Sequence, residues 1–175
     1  VDKYPREVTA VQYGLVAETL PVPEILDDGE TLAKVAEGSL DFLVACHVLE
    51  HCRNLLRTLL THLQRLRPEG ILYYVLPEYP RSCDHDREIT SFSHLLEDFR
   101  SNGQASEEQH RRECGEVAYA DSTAHVHVWD GSAMIDMFNQ ARFHLPVFYR
   151  IEYFEILKDW PEAVIVLRRT GASYV

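Results

Sequence analysis

Three groups of residues have the side-chain types and spacing to do chemistry. His47, Glu50 and His51 fall at i, i+3 and i+4, so on a helical turn all three share one side. Imidazole and carboxylate are metal-ligand types, and a third protein ligand from His94, His125 or His127 would complete a site for a metal-assisted reaction, although the spacing is not that of the zinc proteases. The ordinary reading of the same residues is that Glu50 and His51 cap and support a helix start, where a carboxylate suits the helix dipole, while His47 ends a strand. That reading assigns no metal ligand and is carried forward; a metal-assisted enzyme built on His47, Glu50 and His51 stays as an alternative.

Asp84, Asp86, Arg87 and His94 form the second group. They could orient a substrate, with His94 taking a proton from a nucleophilic oxygen or nitrogen; a solvated charged loop is the plain alternative. In the third group, His125-Val126-His127-Val128-Trp129, an extended backbone places both histidines on one face and both valines on the other. That face would close a pocket, or form a polar strand edge facing water.

The elements that position these residues follow from hydrophobic pattern. Leu40 to Cys46 is a short apolar run after Gly38-Ser39 and suits a buried parallel strand. From Arg53 to Arg67, Leu55, Leu56, Leu59, Leu60, Leu63 and Leu66 recur at helical spacing. Pro68-Glu69-Gly70 is expected to stop that helix, and Ile71 to Leu76 supplies a second buried strand ending at Pro77. Strand, helix, strand in this order predicts a crossover between parallel strands. Residues 78–130 read as an insertion with helical stretches near Thr90 to Phe99 and Ala105 to Cys114, leaving the end of the sheet where ligands bind, and hence a substrate cover. Ser132 to Arg142 is a further helix. Val147 to Leu157 and Ala163 to Leu167, joined through Lys158-Asp159-Trp160-Pro161, predict a C-terminal β-hairpin.

Bulk composition narrows the class. At 175 residues and 46% hydrophobic content, the chain is expected to form one domain, residues 1–175, around one core. Seventeen Lys plus Arg against 28 Asp plus Glu give a net charge of -11, which repels a phosphate backbone and argues against nucleic acid. Cys46, Cys52, Cys83 and Cys114 make no CxxC pair, no secretory signal pattern opens the chain, and no apolar run is long enough to span a bilayer. The expectation is a cytoplasmic protein with reduced thiols and no membrane partner; self-association is left open.

Ser39-Leu40-Asp41-Phe42 leading into His47-Val48-Leu49-Glu50-His51, the helix ending Arg65-Leu66-Arg67-Pro68-Glu69-Gly70, and the C-terminal hairpin together resemble the later part of class I S-adenosylmethionine-dependent methyltransferases. The resemblance covers most of the chain. It implies a Rossmann-like α/β sheet with helices on both faces and an antiparallel C-terminal hairpin. Pro68-Glu69-Gly70 departs from the family's Pro-Gly-Gly by one residue. Asp84 to Thr90 followed by His94 is similar to a subgroup with Asp, Arg, Thr and His spaced through this insertion, which adds Thr90 to Asp84, Asp86, Arg87 and His127 as substrate-binding candidates.

By the same resemblance, Asp2 falls where the family holds the cofactor ribose, and Ile25-Leu26-Asp27-Asp28 looks like the third strand, placing Asp27 or Asp28 near the adenine. Gly29, Cys46 and His47 complete the implied cofactor set, with His47 and His94 as catalytic candidates. The family's first strand and its Gly-x-Gly turn have no counterpart, so the chain is either a fragment or a rearranged sheet. The functional expectation is methyl transfer from S-adenosylmethionine to a small-molecule or saccharide acceptor, and the rival is a non-catalytic scaffold or binding module that has lost the cofactor.

Overall fold

The computed structural model describes residues 3–79, 81–82, 84–120 and 124–171. Asp2 lies outside these residues, as does Cys83. After a short helix α1 (Arg6–Tyr13) the chain runs through β1 (Leu40–Cys46), α2 (Leu55–Arg65) and β2 (Leu66–Pro77). Three helices follow, α3 (Phe92–Ser101), α4 (Glu107–Cys114) and α5 (Glu116–Ala120), then α6 (Gly131–Ala141), β3 (Tyr149–Ile156) and β4 (Glu162–Arg169). The four strands form one sheet in the order β1-β2-β4-β3. β1 and β2 are parallel, whereas β4 is antiparallel to both β2 and β3. The crossover and the hairpin expected from the sequence are therefore both present, in an α/β, Rossmann-like arrangement.

Alternation along the strands decides what each face does. Leu72, Tyr74 and Leu76 of β2 pair with Leu167, Ile165 and Ala163 of β4, and all six side chains are buried in the core. α2 lies in the same core with Leu55, Leu56, Leu59, Leu60 and Leu63, each worth ~1.5–3 kcal/mol of burial. Asn54 caps that helix by accepting from Arg57 N–H. From α6 come Met134, Met137 and Phe138, and Asp130 caps this helix through Ala133 N–H.

β1 has a partner on one side only among the described residues, and its alternate side chains Phe42 and Val44 are 66% and 56% exposed. The stretch expected as a third strand, from Ile25 to Asp28, contributes a single isolated bridge at Leu26. Its shape comes instead from the Asp27 carboxylate, which accepts from the backbone N–H of Asp28 (2.9 Å) and Lys34 (2.7 Å). Such side-chain to backbone bonds replace a strand ladder.

Gly70 has a different role from a helix stop. α2 already ends at Arg65 and Leu66 is extended; the left-handed residue of this turn is Glu69, with φ 67°. A Cβ on Gly70 would come 2.9 Å from Arg67 O and 3.1 Å from Asp41 O, so the glycine lets β1 and β2 approach where their register shifts. No helix among the described residues is long and apolar enough to cross a membrane.

Candidate functional site

A cleft of ≈ 1480 Å³ runs along β1 to its carboxyl end, the place where ligands of open α/β sheets bind. Asp27, Asp28 and Gly29 line it together with Cys46, His47, Val48 and His51. Four of the expected cofactor residues after Asp2 thus share one wall system with His47. Gly29 is pinned there from behind. His62, buried in α2, donates from Nε2 to the Gly29 carbonyl at 2.7 Å, and since a carbonyl can only accept, its Nδ1 carries the lone pair that takes the Tyr74 hydroxyl proton at 2.7 Å. Burial holds the His62 imidazole below its usual range, so this relay is uncharged at neutral pH.

His47 ends β1 in the left-handed region, with φ 52°, and both its ring nitrogens are occupied. Nδ1 lies 3.1 Å from Glu50 Oε1 and Nε2 lies 3.0 Å from Glu162 Oε1. The Glu50 hydrogen bond, opposed by desolvation and reinforced by both carboxylate charges, pushes its pKa up to about 9. His47 is therefore an imidazolium clamped between two carboxylates, unable to accept a proton at neutral pH. Burial, then Glu162 and Glu50, raise the Cys46 thiol, so that group stays protonated.

His51 is oriented differently. Its Nδ1 donates to Ala124 O at 2.9 Å, which leaves the lone pair on Nε2, 4.0 Å from Glu50 Oε1. The side chain is 30% exposed and lines the cleft. Glu50 itself is fully buried, its Oε2 has no hydrogen-bond partner, and with His51 and His125 it forms a group whose ligand-type atoms lie within 4.8 Å of one another. The metal-type grouping that the structure assembles here is thus Glu50, His51 and His125, while both His47 nitrogens are taken by Glu50 and Glu162.

The expected substrate residues lie elsewhere. Asp84 is buried, and although burial raises its carboxyl, hydrogen bonds from His125 Nδ1 (2.6 Å) and Arg87 (3.0 Å) outweigh it and hold the pKa below normal. Arg87 also donates to His125 O and Val126 O, while Thr90 exchanges backbone and hydroxyl bonds with Val128. Asp86 is exposed and pairs with His85. His94 and His127 sit in a closed cluster with Asp98 and His110. No described residue between 78 and 130 lines the cleft, and the insertion meets its wall from behind, through the His51 bond to Ala124 and the contact of the His51 ring with His125 at 4.9 Å.

Sequence reading missed Glu162, Glu30, Asp98 and His110. Glu162 stands 115 residues from His47 and nothing local marks it. The other three had weak signals: Glu30 follows Asp27-Asp28-Gly29, Asp98 lies at i+4 from His94, and His110 is a histidine inside a helix of mostly charged residues.

The protein family described as "Methyltransferase domain" matches residues 7–145. No curated protein sequence matches the chain. Among solved structures, a SAM-dependent methyltransferase from Methanosarcina mazei is similar with TM-score 0.50 and 14% identity, covering 97% of this chain and 80% of that one. A SAM-dependent methyltransferase from Thermotoga maritima gives TM-score 0.49 and 14% identity, covering 96% and 80%. A Bordetella parapertussis protein gives TM-score 0.50 and 13% identity over 97% of this chain, which spans 52% of that protein. At such identities the likeness is one of fold.

Proposed function

Because the chain belongs to the methyltransferase-domain family, we propose that the cleft along β1 takes S-adenosylmethionine and that the methyl group passes to a small-molecule or saccharide acceptor. The observation that carries this reading is the position of the cleft at the carboxyl end of β1, with Asp27, Asp28, Gly29, Cys46 and His47 all in its walls. The residues fit the nucleoside half of that cofactor. Leu32, Val35, Val44 and Val48 offer apolar surface to a flat base. Both Asp27 oxygens are taken by backbone N–H groups, so diol recognition falls to Asp28 and Glu30, whose carboxyl is raised by burial and then by the Asp28 charge.

When bound, the cofactor supplies a methyl group already activated by its sulfonium, and the protein's share is alignment and proton handling. His51 takes the acceptor proton at Nε2, because the Ala124 carbonyl fixes its tautomer and the ring faces the cleft. His47, held as an imidazolium, fixes the end of β1 and the position of Glu50. The acidic wall of Asp27, Asp28 and Glu30 suits a hydroxyl-bearing acceptor better than a phosphorylated one.

Calorimetric titration with S-adenosylhomocysteine tests the reading. Saturable binding that is lost in Asp28→Ala supports it, and His51→Gln should then lower methyl transfer by about 10²-fold with the product affinity unchanged. A second reading, a methyltransferase-like binding module without catalysis, is favoured by the position of β1 at the edge of the four-stranded sheet among the described residues and by the exposed Phe42 and Val44. A folded chain that binds no S-adenosylhomocysteine would sink the first reading and leave the second.

A further inference from the structure

The cluster of His94, Asp98, His110 and His127 is built from three separate pieces of chain. His94 and Asp98 lie one turn apart on α3, His110 is on α4, and His127 belongs to the extended segment before α6. Asp98, His110 and His127 are fully enclosed and His94 is nearly so. Charged and polar groups buried this deeply normally have partners. Here His110 Nδ1 has no hydrogen-bond partner among the described residues, and beyond Ser106 beside Asp98 and the Cys52 backbone beside His127 nothing but the cluster itself satisfies those two side chains.

The atoms converge on a point. The Nε2 atoms of His94, His110 and His127 lie 3.3, 3.5 and 3.8 Å from Asp98 Oδ2. Four ligands at ~2.0–2.1 Å around a tetrahedral ion stand ~3.3–3.4 Å from one another, so these separations are those of a coordination shell. The His94 and His110 Nε2 atoms are 2.7 Å apart and would open around an ion, and all four ligand atoms lie within 4.8 Å of one another. Three imidazoles and one carboxylate are the donors that suit Zn²⁺, and four protein ligands leave no open position for a substrate.

The need for such a tie is visible in α4. Its sequence, EEQHRREC, holds no apolar stripe, and His110 is its one buried residue. A helix of that composition cannot be held to the body by hydrophobic contact. α3 is already anchored, since Asn54 Nδ2 donates to Asp98 O and the Arg57 guanidinium lies over the Phe99 ring at 4.7 Å.

We propose that His94, Asp98, His110 and His127 bind one Zn²⁺ ion in a closed tetrahedral site that ties α4 to α3 and to the segment around His127, the two parts of the insertion that are bonded to the rest of the domain through Asn54 and Glu50. The site has a structural role, and His94 is one of its ligands. It is separate from the cleft and does not depend on the methyltransferase reading.

Metal analysis of protein purified without added metal, followed by Co²⁺ titration of the chelator-stripped wild type, provides the test. The expected result is about one equivalent of zinc per chain, falling below about a tenth in His110→Asn and Asp98→Asn. Co²⁺ should give the intense visible bands of a tetrahedral site without the near-ultraviolet charge transfer of thiolate ligands, which needs no variant to fold. Chelation should also make the segment around α4 open to proteolysis while the sheet stays intact. Absence of both zinc and a tetrahedral Co²⁺ spectrum in folded wild type would overturn the proposal. So would zinc that persists in His110→Asn and disappears in Glu50→Gln, because it would then sit with Glu50, His51 and His125.

Discussion

Replacing His47 by Gln should remove a pH dependence of stability that only this residue supplies. In the folded protein the imidazolium lies between Glu50 and Glu162, which raises its pKa from 6.5 to about 9. A group with a raised folded-state pKa stabilises fully below its unfolded value and loses that contribution as pH rises through the folded value. The window is therefore from about pH 6.5 to just above pH 9. At ~1.4 kcal/mol per decade of proton affinity the full displacement would be ~3.4 kcal/mol. His47 is 43% exposed, and solvent screening reduces this to ~1–2 kcal/mol. For a domain of this size that is about 3–6 °C in Tm. The assay is thermal unfolding of wild type and His47→Gln in parallel between pH 6 and pH 10. The gap between them should be widest at pH 6 and close toward the upper end. Any fixed penalty for Gln at a positive φ cancels in this comparison, so a gap that stays constant with pH would refute the clamped imidazolium.

Two further outcomes follow from packing. Tyr74→Phe removes the donor to His62 Nδ1 inside the core, leaving a buried acceptor unpaired; urea unfolding should show a loss of ~1–3 kcal/mol without a change in the denaturant slope, and an unchanged midpoint would count against the relay. Gly70→Ala forces a Cβ against the Arg67 and Asp41 carbonyls, both rigid backbone, and should cost ~1–3 kcal/mol in the same assay; wild-type stability would mean that the crossover can relax there.

The parts of this fold that could be read in the sequence are those whose pattern is set by burial alone. α2 and β2 carry a leucine stripe and an apolar run because one core receives both, whereas β1, expected to be buried, has only Ala45 buried and keeps Phe42 and Val44 exposed. The third strand read at Ile25 to Asp28 failed for a local reason, because the Asp27 carboxylate takes up the backbone N–H groups of Asp28 and Lys34 and leaves only the bridge at Leu26. Gly70 was recognised as necessary but for the wrong contact, since close approach to Asp41 O exists only once β1 and β2 are side by side. At the site, residue type was legible and connection was not. A histidine after a strand announces a site, but that His47 would be charged depends on Glu162, brought in by β4 from the far end of the chain. That His51 would be the ring with a lone pair toward the cleft depends on a carbonyl at Ala124.

The two polar centres of the domain are joined through very few atoms, and Glu50 is the junction. Its side chain holds His47 at the end of β1, while its backbone carbonyl accepts from Val126 N–H at 2.6 Å and His127 N–H at 3.2 Å. The extended segment from Ala124 to Val128 consequently serves both sides at once: Ala124 orients His51 beside the cleft, His125 holds Asp84, and His127 enters the closed cluster. Arg87 and Thr90 brace the same segment from the insertion through Val126 and Val128. This accounts for the placement of residues that residue type and family resemblance assigned to substrate. Asp84, Arg87 and Thr90 do not line the cleft, yet each bonds to the segment that orients His51. A buried polar network of this kind fixes position only when every member is satisfied. The incompletely satisfied side chains of Asp98 and His127 lie at one end of it, which is where an ion would complete the network.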